Sequence, residues 1–165
     1  MSMLEARGVS KVYETRGVET IALRGIDLSI EGGEFTALAG PSGSGKTTLL
    51  NLFGGLDAPT EGVVVLDGDD LGSLTASQLA EERLHKLGFV FQAYNLIPVF
   101  SARENVEFVM ELQGISTSER RRRAMAILEE VGLGDLADKR PLEMSGGQQQ
   151  RVAVARAIVS QPRVV

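Results

Sequence analysis

Short apolar stretches separated by glycine open the chain. Val9 to Tyr13, Ile21 to Leu23 and Ile26 to Ile30 lie among Gly8, Gly17 and Gly25, which predicts antiparallel strands with turns at the glycines. Glu34 to Ala39 reads as a short buried strand. From Thr47 to Phe53 the apolar spacing becomes helical, with Leu49, Leu52 and Phe53 on one face, and Gly54-Gly55 close that helix. Val63 to Leu66, stopped by Asp67-Gly68, reads as one more strand of the small sheet. Ser77 to Leu87 predicts a helix, and Gly88 to Gln92 a buried strand with a polar end. After Ser101 only helical periodicity remains, over Arg103–Gln113, Thr117–Val131 and Gln148–Ser160. Gln161-Pro162-Arg163 breaks the last helix before the apolar Val164-Val165.

The 165 residues, 43% hydrophobic, suffice for the core of one globular domain in an α/β layer architecture. Lysine and arginine number 17 against 22 acidic residues, and the net charge of -5 argues against a general nucleic-acid surface. With no cysteine and a single histidine, His85, thiolate and histidine-based metal sites are excluded. There is no apolar run of about 18 residues, and Met1 to Glu5 lacks a signal-peptide core. The expectation is a cytosolic chain whose membrane association is borrowed from another polypeptide.

Two glycine-rich segments carry the candidate chemistry. Gly40-Pro41-Ser42-Gly43-Ser44-Gly45-Lys46-Thr47 matches the P-loop pattern G-x-x-x-x-G-K-[ST] between a predicted strand and a predicted helix. Glycines at 40, 43 and 45 let backbone N–H groups curl around a β-phosphate, and the helix N-terminus adds its dipole. Lys46 would place a point charge between β- and γ-phosphates, the Thr47 hydroxyl would ligate Mg²⁺, and Thr48 would reach the α-phosphate side. The second segment is Ser145-Gly146-Gly147-Gln148. Ser145 can cap the following helix, on which Val152, Ala155, Ile158 and Val159 would be buried, and the same residues are compatible with a capped helix start and nothing more.

Met144-Ser145-Gly146-Gly147-Gln148-Gln149-Gln150-Arg151 closely resembles the LSGGQ signature of ATP-binding-cassette (ABC) ATPases, with methionine in place of the first leucine. Phe91-Gln92 looks like the family's Q-loop and Val9 to Tyr13 like its adenine-stacking A-loop. The resemblance runs the full length. Gly54 to Gly62, with Tyr94 to Pro98, is similar to the lipoprotein-releasing and macrolide-exporting branch. It implies a P-loop NTPase core with a small antiparallel β subdomain over residues 1–92, and an α-helical signature subdomain over 93–160. It further implies ATP and Mg²⁺ as ligands, bound by a head-to-tail homodimer in which the P-loop of one copy and the signature of the other face the same nucleotide. Integral membrane subunits would be driven by that dimer, at the inner face of the cell membrane.

By the same resemblance Gln92 ligates Mg²⁺ or orients the attacking water, and Tyr13 stacks on the adenine, although a tyrosine ending a strand also serves as core or rim. Tyr94 to Phe100, strongly apolar for a loop, either meets membrane subunits or packs on its own helices. Arg120 to Arg123 read as a solvated helix face, with lipid head groups as the alternative.

ABC ATPases carry an Asp-Glu pair at the tip of an apolar strand after the signature helix; Arg163-Val164-Val165 reads as its beginning, without the acids or the remaining core strands. Glu104 and Asp135 are no substitutes, so the chain as written is expected to bind ATP but to show little turnover, whatever its ABC-type ATPase ancestry. A soluble ABC ATPase outside transport and a non-hydrolysing nucleotide-binding module are the competing functional readings.

Overall fold

The computed structural model describes residues 2–165, which form two compact units, Met1–Glu81 and Glu82–Val165. The first is built on a long hairpin. Strand β1 (Ser2–Thr15) pairs antiparallel with β2 (Val18–Glu31) through a turn at Arg16 and Gly17, both at positive φ. Strand β3 (Glu61–Leu66) pairs with the other edge of β1, and the two-residue β4 (Asp69–Asp70) follows across Asp67-Gly68, giving the order β2-β1-β3-β4.

Gly8 and Gly25 do not turn the chain as expected. Both lie inside the long strands with φ near +57° and +55°, where the pairing register shifts on both sides of Val9. A β-bulge leaves an amide without a ladder partner. Here side chains supply one: Gly8 N–H donates to Asp27 Oδ1 at 2.7 Å and Gly25 N–H to Ser10 Oγ at 3.0 Å.

Helix α1 (Lys46–Phe53) packs against β1, β2 and β3 and buries Leu49, Leu52 and Phe53, the face that the spacing predicts. Leu4, Val9, Leu23, Val64 and Leu66 are buried in the same unit. Glu34 to Ala39, predicted to be a buried strand, joins no ladder among the described residues, and Phe35 is 98% exposed. Extended propensity alone does not make a strand, which needs a neighbour to accept its N–H and C=O groups.

Helix α2 (Ala76–Lys86) leads into the second unit. Gly88 to Gln92 is likewise outside any sheet among the described residues; beside it lies a parallel bridge between Leu87 and Val164, with Gly88 N–H donating to the Val164 carbonyl at 2.8 Å. Helices α3 (Ala102–Leu112), α4 (Thr117–Glu130) and α5 (Gly146–Ile158) then surround an apolar core that includes Val106, Met110, Ala124, Leu128, Val152 and Ala155. Val159 is buried as expected, but Ile158 is only half-buried, because Ala153 and Ala157 take the inward positions on that side of α5. Small side chains there allow close approach: a Cβ on Gly88 would collide with the Ala157 carbonyl.

Three of the four arginines in the run are paired with carboxylates. Arg122 and Arg123 both bind Glu119, whose carboxyl is held at about 2 by those two guanidinium hydrogen bonds, and Arg120 reaches Glu107 at 3.5 Å and Glu111 at 3.4 Å. Part of the Tyr94 to Phe100 loop packs inward, with Leu96 against the helical core and Phe100 edge-on to Phe108 at 5.8 Å, whereas Val99 is exposed.

Candidate functional site

Three glycines shape the Gly40–Thr47 loop for different reasons. Gly45 caps α1 in the left-handed conformation (φ +87°), and a Cβ there would lie 2.6 Å from the Ala22 carbonyl oxygen and 2.8 Å from Leu23 Cδ2. A Cβ on Gly40 would lie 2.9 Å from Ser44 Oγ. Gly43 (φ +80°) meets nothing within 4 Å, so its side opens to solvent. The loop therefore turns against β2 at one glycine and stays open at another.

No side chain caps α1, in contrast to α3 and α5, whose N-termini close on themselves through Ser-x-x-Glu and Ser-x-x-Gln boxes. The Lys46 ammonium folds back on the loop, donating to the Gly40 carbonyl at 2.8 Å, the Pro41 carbonyl at 2.7 Å and Ser44 Oγ at 3.2 Å. Pro41, Ser42 and Thr47 are exposed and Thr48 is half-buried. Among the described residues no cluster of three or more His, Cys, Asp or Glu could hold a metal; the loop itself offers the hydroxyl oxygens of Ser42, Ser44 and Thr47.

Tyr13, in the same unit, is anchored just beyond α1. Its hydroxyl donates to Asp57 Oδ2 at 2.8 Å, and Lys11 Nζ sits 4.9 Å from the ring centroid while donating to Asp57 Oδ1 and the Ala58 carbonyl, both at 2.7 Å. Burial alone would raise the Asp57 pKa, but the bonds from Lys11, Tyr13 and the Ala58 N–H outweigh it and hold the carboxyl below its usual range. Lys11 thus covers one face of a ring that is more than a third exposed.

The second unit holds Gln92 and the Ser145–Gln148 segment. Gln92 stands exposed in a turn closed by the Tyr94 N–H on the Phe91 carbonyl at 3.0 Å, not at the end of a ladder. Ser145 is the N-cap of α5: its Oγ accepts from the Gln148 N–H at 3.3 Å, and Gln148 Oε1 accepts from the Ser145 N–H at 2.8 Å. Gly146 and Gly147 occupy the first turn, exposed, and a Cβ on Gly147 would meet nothing within 4 Å.

Lys11 and Asp57 lie inside stretches that carry the resemblance but have no role assigned there, and Arg156 lies outside every motif. Arg156, on α5, donates from its two terminal nitrogens to the Asn95 carbonyl at 2.7 Å and the Tyr94 carbonyl at 2.8 Å. A charged residue flanked by the buried Ala155 and Ala157 was the available signal.

The fold is that of an α/β P-loop NTPase. The ABC transporter family profile matches residues 23–165. The chain is similar to an uncharacterized ABC transporter ATP-binding protein of Thermotoga maritima, 48% identical over 97% of this chain and 68% of the relative. It is 46% identical, over 99% of its length, to the macrolide export ATP-binding/permease protein MacB of Brucella melitensis, and spans only 25% of that protein. Its structure matches the dimeric ATP-binding cassette MJ0796 bound to ADP and Pi with a TM-score of 0.91 and 43% identity, covering 97% of this chain and 71% of that one. The chain belongs to the ABC transporter family, as its ATP-binding part. The MJ0796 cassette is described as dimeric, and the Brucella relative as a combined ATP-binding/permease protein. Among the described residues, no helix is long and apolar enough to cross a membrane.

Proposed function

We propose that Gly40, Pro41, Ser42, Gly43, Ser44, Gly45, Lys46, Thr47 and Thr48 hold the triphosphate of MgATP, and that Ser145 to Gln148 of a second copy close on the same nucleotide in a head-to-tail dimer. The observation that carries this reading is the open N-terminus of α1 beside a lysine satisfied only by its own loop. A phosphate would give that ammonium and those amides stronger partners, since charge-assisted hydrogen bonds are roughly twice as strong as neutral ones. Mg²⁺ bound beside the phosphates supplies charge neutralisation; Thr47 is the residue that would hold it, and Gln92 is the polar side chain assigned to the ion or to the attacking water.

Tyr13 offers adenine the ring face that Lys11 leaves uncovered, with Asp57 fixing the ring through its hydroxyl. Closure of the dimer on ATP drives separate membrane subunits, which keep the chain at the inner face of the membrane.

Gly147 supports the second half of the reading. Within one copy its missing side chain serves no packing purpose, because a Cβ would meet open space, and glycine costs a helix about 1 kcal/mol relative to alanine. Its smallness is useful only to something that approaches from outside. Two variants separate the halves. Lys46→Ala is expected to weaken MgATP binding by about 10- to 100-fold, the loss of one or two charge-assisted hydrogen bonds. Gly147→Asp should leave the monomer as stable as before and MgATP binding within a few-fold, but abolish ATP-dependent dimers in sedimentation. MgATP affinity unchanged in Lys46→Ala, or dimers intact in Gly147→Asp, would refute the corresponding half.

A further inference from the structure

Tyr94 and Asn95 are consecutive non-glycine residues in the left-handed region, with φ of 61° and 47°. Asparagine tolerates that conformation, but tyrosine does so at a cost in backbone energy, so something must hold the pair there. Their amides are spent locally, Tyr94 N–H on the Phe91 carbonyl at 3.0 Å and Asn95 N–H on the Ala93 carbonyl at 2.7 Å. Their carbonyls converge instead on Arg156, whose two terminal nitrogens donate to them at 2.8 and 2.7 Å.

Among the described residues the partners of that guanidinium are those two carbonyls and no carboxylate, and burial pulls its pKa down. It stands on α5 between the buried Ala155 and Ala157. A partly buried cation without a counter-ion persists where oxygen dipoles compensate it, and a planar fork suits two adjacent carbonyls better than an ammonium does.

We infer that Arg156 is a positioning residue that fixes the segment following Gln92 to the helix that begins at Ser145. The helix is a rigid rod. A ligand or partner that displaces Ser145–Gln148 would carry Arg156 with it, and Arg156 would pull on Tyr94 and Asn95, two and three residues beyond Gln92. The clamp itself follows from the geometry. Its bearing on Gln92 rests on the role proposed above.

Hydrogen exchange of the full chain, with and without MgATP, tests both. In Arg156→Met, which keeps most of the stem and loses the charge, exchange of the amides at 93–97 without nucleotide should rise at least tenfold while α3 and α5 hold their protection. Arg156→Lys, which keeps the charge but can serve one carbonyl well, should fall between and guards against a methionine variant that does not fold. Exchange at 93–97 unchanged in both variants, or rising equally through α3 and α5, would overturn the clamp. With MgATP, the response at 93–97 should drop below half in Arg156→Met while MgATP affinity stays within threefold. A wild-type chain that binds MgATP without any response at 93–97 would overturn the link to Gln92, and the nucleotide-free comparison would still decide the clamp.

Discussion

Gly45→Ala is expected to lower MgATP affinity more than 100-fold and to cost the first unit about 2 to 4 kcal/mol of stability. The added Cβ would stand 2.6 Å from the Ala22 carbonyl oxygen and 2.8 Å from Leu23 Cδ2, and φ of +87° is itself strained for alanine. The first obstacle is strand backbone, which cannot rotate away as a side chain can. Either the loop lifts off β2 or the start of α1 unwinds, and both displace Lys46. Gly43→Ala is the informative control. It carries a similar φ strain but meets no protein atom within 4 Å, so its loss of stability should be nearer 1 kcal/mol. Urea denaturation and calorimetric titration with MgATP on both variants give the comparison; affinity retained within threefold in Gly45→Ala would show that the loop is not the triphosphate site.

Asn105→Leu is expected to destabilise the helical unit by about 2 to 4 kcal/mol, because the Ile97 N–H and the Phe100 carbonyl lose their partner together, while the Ile97 and Ser101 carbonyls keep the Phe100 and Asn105 amides. Asn105 is fully buried on α3. Its Oδ1 accepts from the Ile97 N–H at 2.7 Å, and its Nδ2 lies near the carbonyls of Ile97 at 3.1 Å, Phe100 at 3.2 Å and Ser101 at 3.0 Å. One amide side chain thus ties the Ile97, Phe100 and Ser101 main chain to α3. Leucine matches its size but none of its bonds. A shift in the urea midpoint corresponding to less than 1 kcal/mol would show that water satisfies these groups instead. Because total stabilities are about 5 to 15 kcal/mol, the expected loss is a large share of the whole.

The helices were legible because their apolar residues recur on one face: α1, α3, α4 and α5 form within two residues of their expected bounds. So was the capping role of Ser145, since a hydroxyl before a helical run with glutamine three residues on is a local signature. What escaped depends on residues distant in sequence. Whether Glu34 to Ala39 and Gly88 to Gln92 become strands is decided by neighbours, and no periodicity within a segment reports whether one is present. Gly8 and Gly25 look like turn residues in isolation; only the pairing of β1 with β2 makes them bulges, with Asp27 and Ser10 taking their amides. Asn105 and Arg156 gave no motif because each acts on main-chain atoms, whose identity leaves no trace in the side chains nearby.

Lys46 is already occupied by three oxygens of its own loop. Any anion must therefore do better than those contacts, not merely better than water. A lone inorganic phosphate offers one cluster of charge and must displace the same carbonyls, whereas a chain of phosphates can engage the ammonium and the open helix end at once. On the proposed reading, the self-satisfied lysine sets a threshold against small anions, which are abundant in any cell, and keeps the loop for nucleotides.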